Sequence, residues 1–421
     1  MTKPRIVVAG QVPPPFGGQN VMIARILAEF AADARFDCEH LAFHFTPDFK
    51  DVRRGSVAKI FELVKVVGRL LALRLRGPID ALVFPAGGPQ TVPIVRDILL
   101  LPWVLLAARR VVVQFHAAGI AERCAPLEGG APATPEQKVV VAAPLCRGDG
   151  LPSANSRPTQ RRGGRAPRLQ RSALLCRVVA ALYRRCFAAI VMTEFNRRDP
   201  EFCGIRRVAV IPHKLPDEFD PSLVRRDPAR LRLLYVGHLC ADKGTPELLR
   251  AFKLIADRGA AVVLELVGEA LPPFSDDQLR ALIRELGLED RVEVRGLLTG
   301  RAKLEAFGRA DLFVFPSVAP YESFGLVMVE AMMWGLPIVA TDWRGNREVL
   351  GADFEGVCFP IGADFAASLA EALGSAIETS RGKTAWTGRN RRLFLERYRA
   401  DAGTSDYREL AQQWIAKNEI P

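Results

Sequence analysis

The sequence predicts an α/β protein made of two doubly wound, Rossmann-like domains in tandem. Three observations carry this. Short apolar runs alternate with longer helical patterns, the alternation breaks between Pro212 and Pro228 where prolines and charges replace it, and it then resumes as a second series. With 421 residues, 49% hydrophobic and 25% charged, the chain has material for two cores, since single cores stop growing near ~250 to 300 residues.

In the first series, strands are expected at Arg5 to Gly10, Cys38 to Phe43, Ala81 to Gly87 and Arg110 to His116. Helices Gly18 to Ala32, Ser56 to Leu75 and Thr91 to Ala108 separate them. The second series places strands at Arg232 to Gly237, Val262 to Gly268, Val292 to Leu297, Asp311 to Ser317 and Pro337 to Asp342. Residues 1–215 are read as the first domain, 216–230 as a hinge, 231–385 as the second domain and 386–421 as C-terminal helices.

Charge and cysteine usage narrow the function classes. The net charge is +11, and the excess lies in the first 220 residues, a balance suited to nucleic acid, anionic lipid or a phosphate-bearing substrate. Residues 120–171 are rich in Pro, Gly, Ala and Arg without periodicity and read as a disordered insertion; they lack the interleaved aromatics that stack bases, so no nucleic-acid partner is assigned. The eight cysteines show neither C-x-x-C nor metal-ligand spacing and read as reduced thiols, with no disulfide and no metal site. No signal-peptide core precedes the first strand, which points to the cytoplasm.

Two apolar stretches bear on membranes. Residues 98–108 are too short for a bilayer span and contain Pro102, so a buried helix is expected. In Ser56 to Leu75, Lys59, Glu62, Lys65 and Arg69 share one helical face. This reads as a core-packed helix with a solvated basic stripe; docking on anionic lipid headgroups is the alternative.

The chemistry concentrates between Asp311 and Gly335, read as a strand, a loop and a helix starting near Ser323. The backbone amides of Phe324, Gly325 and Leu326 lack intrahelical partners there and form an anion site that Gly325 leaves open to phosphate. Glu330 sits further along, in a helix whose neighbours Val327, Met328, Val329, Ala331, Met332 and Met333 are apolar, and a buried carboxylate needs partners. Those partners are either a local ion pair or a ribose diol. Glu322, just before the helix, is by default a charge favouring its dipole.

Taken with Pro316-Ser317, Ser323-Phe324-Gly325 and Gly335-Leu336-Pro337, the two glutamates resemble the signature of family-4 retaining glycosyltransferases of the GT-B fold. The resemblance implies a cleft between the domains and a C-terminal helix returning toward the first. It implies that Glu330 holds the donor ribose, that Glu322 contacts the donor sugar, and that Lys243, in the turn Gly237 to Gly244, neutralises the diphosphate. His238 stands where an arginine is usual, and His213-Lys214 where asparagine-glycine is usual. Gly17 and Gly18, after Pro13-Pro14-Pro15-Phe16, correspond to a glycine pair beside the donor phosphates. His116 is the residue expected at the reaction centre, with Thr193-Glu194 a weaker candidate of that kind.

The same resemblance implies a metal-independent, cofactor-free transfer from a nucleotide-diphosphate sugar to a glycan or lipid-linked acceptor. Its setting is surface-polysaccharide assembly at the inner face of the cytoplasmic membrane. A nucleotide-sugar epimerase and a catalytically idle nucleotide-sugar-binding scaffold share this architecture.

Overall fold

The computed structural model describes residues 3–14, 17–45, 57–124, 166–227, 229–380, 388–400 and 406–416. Two six-stranded parallel sheets organise them. The first contains β1 (Arg5–Gly10), β2 (Asp37–Ala42), β3 (Ala81–Pro85), β4 (Val111–Gln114), β5 (Ala188–Val191) and β6 (Val208–Val210), in the order β2-β1-β3-β4-β5-β6. Its helices are α1 (Gly18–Ala31), α2 (Val57–Leu75), α3 (Thr91–Ala107), α4 (Ile120–Cys124), α5 (Ala166–Tyr183) and α6 (Arg198–Phe202). Strands β3, β4 and β5 are buried along their length, as parallel strands covered on both faces must be.

The second sheet contains β7 (Leu231–Val236), β8 (Val262–Val267), β9 (Val292–Gly296), β10 (Leu312–Phe315), β11 (Ile338–Thr341) and β12 (Gly356–Phe359). Its order, β12-β11-β10-β7-β8-β9, reverses direction between β7 and β10. In open parallel sheets the ligand crevice lies outside the carboxyl ends of the strands at such a reversal. Helices α7 (Thr245–Asp257), α8 (Asp276–Glu285), α9 (Gly300–Arg309), α10 (Leu326–Met333), α11 (Asn346–Leu350) and α12 (Phe365–Ser380) cover it. The short edge strand β12 and the three-residue β6 carry too little apolar pattern for the sequence to have revealed them.

After α13 (Arg389–Leu393) and a π-helical turn, Leu215 bridges to Arg399, and α14 (Asp406–Ala416) returns to the first domain. There Tyr407 enters the core formed by Ile23, Ile26 and Phe30 of α1, and its hydroxyl accepts a hydrogen bond from Gln114 at 2.7 Å. Helices α2, α3 and α5 pack against the opposite sheet face through Leu70, Leu101, Val104 and Val179.

Several expectations need correcting. Residues 98–108 are not a fully buried helix: Leu100, Leu101 and Val104 face the core, whereas Leu99, Trp103 and Leu106 are exposed. In α2 the acid of the basic stripe, Glu62, is buried and accepts from the His44 amide, while Ile60, Phe61 and Val64 face outward. The 120–171 segment begins as helix α4 and ends within α5; residues 125–165 lie outside the described residues. Cys124 and Cys176 are paired as a disulfide, their Cα atoms 5.7 Å apart. The packing of α4 against α5 brings them together across a sequence separation of 52 residues, which spacing alone conceals.

If α14 is held by Tyr407, Tyr407→Ala should lower stability by about 3 to 4 kcal/mol, the usual cost of truncating a large buried aromatic. Urea unfolding measures this, and an unchanged midpoint would show that α14 adds nothing to the first domain.

Candidate functional site

The loop after β7 and the loop after β10 flank the strand-order reversal, and glycine lets them touch. Gly244 adopts the left-handed conformation, φ 73°, with its α-carbon against the Pro316 carbonyl, where any β-carbon would collide. The Val318 amide donates to the Asp242 carbonyl at 3.0 Å. Lys243 is thereby laid beside the Pro316–Gly325 loop.

Its ammonium meets Glu322 at 2.6 Å, and the Ser317 hydroxyl donates to the same carboxylate oxygen at 2.7 Å. Glu322 is buried. Burial pushes its carboxyl up, but the Lys243 charge and hydrogen bond, the Ser317 hydroxyl and the Gly325 amide outweigh this and hold it below the usual range. His238, in the loop before Lys243, is pushed down to about 4 by burial and by the Lys243 charge. At neutral pH it is uncharged, and Lys243 brings the loop its positive charge. One of the three ammonium hydrogens is spent on Glu322.

Helix α10 starts at Leu326, three residues later than the sequence suggested, because Gly325 takes the left-handed conformation, φ 65°, ahead of it. Glu330 lies on the second turn, and its Oε1 pairs with Lys303 of α9 at 2.6 Å. The local ion pair considered from sequence is therefore present, with a partner from another helix. The other oxygen, Oε2, is buried and has no hydrogen-bond partner.

Opposite stands the first domain. His116 lies just beyond β4, and its carbonyl accepts from the Ser323 hydroxyl at 2.6 Å. Asn196 donates to the Ser323 carbonyl at 2.7 Å, and the Ala118 amide donates to the Tyr321 carbonyl at 3.3 Å. The Ser323 side chain is thus occupied in joining the domains. The Phe324 ring is likewise committed to packing, edge-on to His213 and Tyr398. What these two residues and Leu326 offer a ligand is backbone.

The His116 and His213 rings stack with centroids 5.8 Å apart. Both nitrogens of His116 and Nδ1 of His213 are sealed from solvent without partners. Burial pushes His116 down to about 3, and burial, with His116 and Arg25 nearby, lowers His213 well below its ordinary range. Gly17 precedes α1 in extended conformation, and nothing lies within 4 Å of where a β-carbon on Gly18 would stand, so this loop presents bare backbone. Pro15 and Phe16 of the same motif lie outside the described residues. Thr193 is buried at the seam, but the Glu194 carboxylate turns outward to Arg197, while the Glu194 amide donates to Glu348 at 2.6 Å. Glu194 leaves the candidate site.

The structure therefore gathers Lys243, Glu322, Ser323, Gly325 and His116 at one seam and sets Glu330 on α10 with Lys303. Ser317 and Lys303 were missed as partners. Ser317 was visible in the Pro316-Ser317 motif without a role, and Lys303 had no sequence signal, being brought in by helix packing. Among the described residues no His/Cys/Asp/Glu group is arranged to hold a metal ion.

The family model for glycosyl transferases group 1 matches residues 219–391, which span both loops and both glutamates. The chain carries a glycosyl transferases group 1 domain. An uncharacterised glycosyltransferase of Methanocaldococcus jannaschii is 30% identical over 185 residues, covering 40% of this chain and 46% of that protein. The chain spans less than half the length of this and the other curated relatives compared with it. Solved structures extend the likeness to the whole fold. Sucrose-phosphate synthase from Thermosynechococcus elongatus superposes with a TM-score of 0.69 at 18% identity, over 98% of this chain and 100% of that one. Anabaena HepE in complex with UDP-glucose gives 0.59 at 16% identity, over 98% of each chain. WaaG, a glycosyltransferase involved in lipopolysaccharide biosynthesis, gives 0.59 at 18% identity, over 97% of this chain and 98% of that one. The two sheets and the returning α14 are the GT-B arrangement, with the group 1 domain as its second half.

The buried histidines set a pH dependence. An unfolded histidine takes up a proton near pH ~6.5, whereas folded His116 does so only near pH 3. Its contribution is therefore complete above pH ~6.5 and is lost as pH falls below it, by up to ~1.4 kcal/mol per unit. Asp199, pushed up to about 6 by burial, acts oppositely, since acid relieves the cost of burying its charge. Urea midpoints of the wild type and His116→Gln between pH 7 and 5 should diverge, the variant losing stability less steeply. Parallel curves would contradict the burial of a neutral imidazole.

Proposed function

We propose that this chain is a retaining glycosyltransferase that moves a sugar from a nucleoside-diphosphate sugar to a glycan or lipid-linked acceptor in surface-polysaccharide assembly. The observation that carries the reading is the buried Lys243–Glu322 pair at the strand-order reversal of the group 1 domain, facing His116 across the cleft. The UDP-glucose complex of HepE and the lipopolysaccharide role of WaaG support the donor and acceptor classes.

In this reading the donor diphosphate lies against the Phe324 and Leu326 amides and the bare Gly17-Gly18 loop, with Lys243 balancing the charge that grows on the departing phosphate. Glu330 Oε2 accepts from a ribose hydroxyl while Lys303 holds the other oxygen, and this interaction is made in ground and transition states alike. Glu322, fixed by Lys243 and Ser317, contacts the donor sugar. His238, neutral, contributes a hydrogen bond rather than a charge. The acceptor enters from the first-domain side, where the leaving diphosphate takes its proton, and the transfer uses no resident cofactor or metal.

Screening thermal stabilisation with a panel of nucleotide sugars identifies the donor, because a ligand that binds only the folded chain raises the melting temperature. With that donor, Glu330→Ala should weaken binding about tenfold with little change in kcat, and Lys243→Met should lower kcat by ~10² or more, the scale seen when one transition-state donor is removed. Transfer undiminished in both variants would sink the assignment. Product carrying the inverted anomer would overturn retention, and an epimerised sugar still attached to its nucleotide would favour an epimerase.

A further inference from the structure

The outer face of α2, α3 and α5 is built from side chains that a water-exposed helical layer would not carry. Phe61 and Leu75 of α2 are 65% and 88% exposed, and Trp103 and Leu106 of α3 are 44% and 78% exposed. Leu99 of α3 and Leu174 of α5 continue the surface. Among the described residues, the exposed large hydrophobics outside these three helices are Val224, Leu254 and Leu297 alone. The outward residues of α3 recur at Val95, Leu99, Trp103 and Leu106, a single helical stripe, while Ile94, Leu101 and Val104 fill the core beneath. α3 packs against both α2 and α5, so the stripes lie side by side. A contiguous apolar face of this kind marks an interaction site.

The charges on this layer are one-sided. Lys65, Arg69 and Arg74 of α2 and Arg177 of α5 are exposed. The acidic residues of the three helices are Glu62 and Asp97, and both are buried and already engaged. Glu62 accepts from Arg69 and the His44 amide, and Asp97 from Arg96, the Tyr183 hydroxyl and the Gly87 amide. An apolar layer rimmed by cations, with no exposed acid among its described residues, complements a surface that is anionic outside and apolar within.

We propose that the outer face of α2, α3 and α5 docks on an anionic lipid bilayer, with Phe61, Leu75, Trp103 and Leu106 entering the headgroup and acyl boundary and the lysines and arginines meeting lipid phosphates. Two other occupants fit less well. A second copy would press like charges together. The segment 125–165 has Arg157, Arg161, Arg162 and Arg165 near its end and is itself more basic than acidic, so it does not complement the face. The docking rests on this surface and not on the proposed reaction.

The full chain is tested by co-sedimentation with vesicles of phosphatidylcholine alone and of phosphatidylcholine mixed with phosphatidylglycerol. The wild type should pellet with the mixed vesicles only, and less so at high salt. Phe61→Ser/Leu75→Ser/Trp103→Ser/Leu106→Ser should bind at least tenfold more weakly, as should Lys65→Glu/Arg74→Glu/Arg177→Glu. All these side chains are exposed, and an unchanged thermal unfolding profile checks that both variants fold. Failure of the wild type to bind the mixed vesicles overturns the proposal. So does equal binding by either folded variant, or self-association of the wild type through this face with no lipid bound.

Discussion

The contact of Gly244 with the Pro316 carbonyl is the constraint on which the site depends. Two loops leaving neighbouring strands diverge unless something draws them together, and here the backbones touch with no side chain between them. That approach turns the Lys243 ammonium onto Glu322 in a buried setting. A carboxylate there without a cation would take up a proton or cost several kcal/mol to bury, so the loop contact and the ion pair stand or fall together. Ser317 adds the hydroxyl that saturates the shared oxygen, and its own carbonyl is held by the Thr341 hydroxyl at 2.6 Å, tying the pair to the end of β11.

The same loop forms the seam between the halves. Ser323 receives from Asn196 and donates to His116, and the Tyr321 carbonyl accepts from Ala118, so a few residues around Glu322 serve both domains. Arg344, also from the second half, pairs with Glu122 at 3.1 Å, and Glu348 accepts the Glu194 and Phe195 amides. Closing the seam seals both His116 nitrogens and Nδ1 of His213 from water without partners, which favours the neutral rings. A polar ligand entering here would find those nitrogens uncommitted. Hydrogen-bonding capacity is therefore held in reserve where the two domains meet.

The fold was legible because parallel α/β units write themselves twice, as apolar runs and as the helical periods between them, and the restart at Leu231 separated the two series. The edge strands β2 and β9 were legible too, but β6 and β12 were not, since they are short and half covered. In the site, Glu330 stood out because a carboxylate in an apolar helix is costly, and that reasoning held even though the partner found is Lys303. Lys303 and the Cys124–Cys176 pairing belong to tertiary packing and leave no local trace. The apolar outer stripe of α3 was misread because Leu and Trp look the same in sequence whether they face a core or solvent.

The environments of these groups bear on which atom can take the acceptor's proton. Glu322 has Lys243, Ser317 and the Gly325 amide stabilising its charged form, so its affinity for a proton is lowered. His116 holds a proton only near pH 3 while buried, far from the value that serves a general base at neutral pH. His238 is pushed down to about 4, and the Lys243 ammonium is committed to Glu322 at 2.6 Å. A base for the proposed reaction is then best sought on the substrate. In the retaining reaction proposed above, the departing diphosphate would gain negative charge as the glycosidic bond breaks and would leave on the face from which the acceptor approaches. The protein's share of the work is then to fix geometry and balance charge, which is what a rigid lysine on a glycine-closed loop can do.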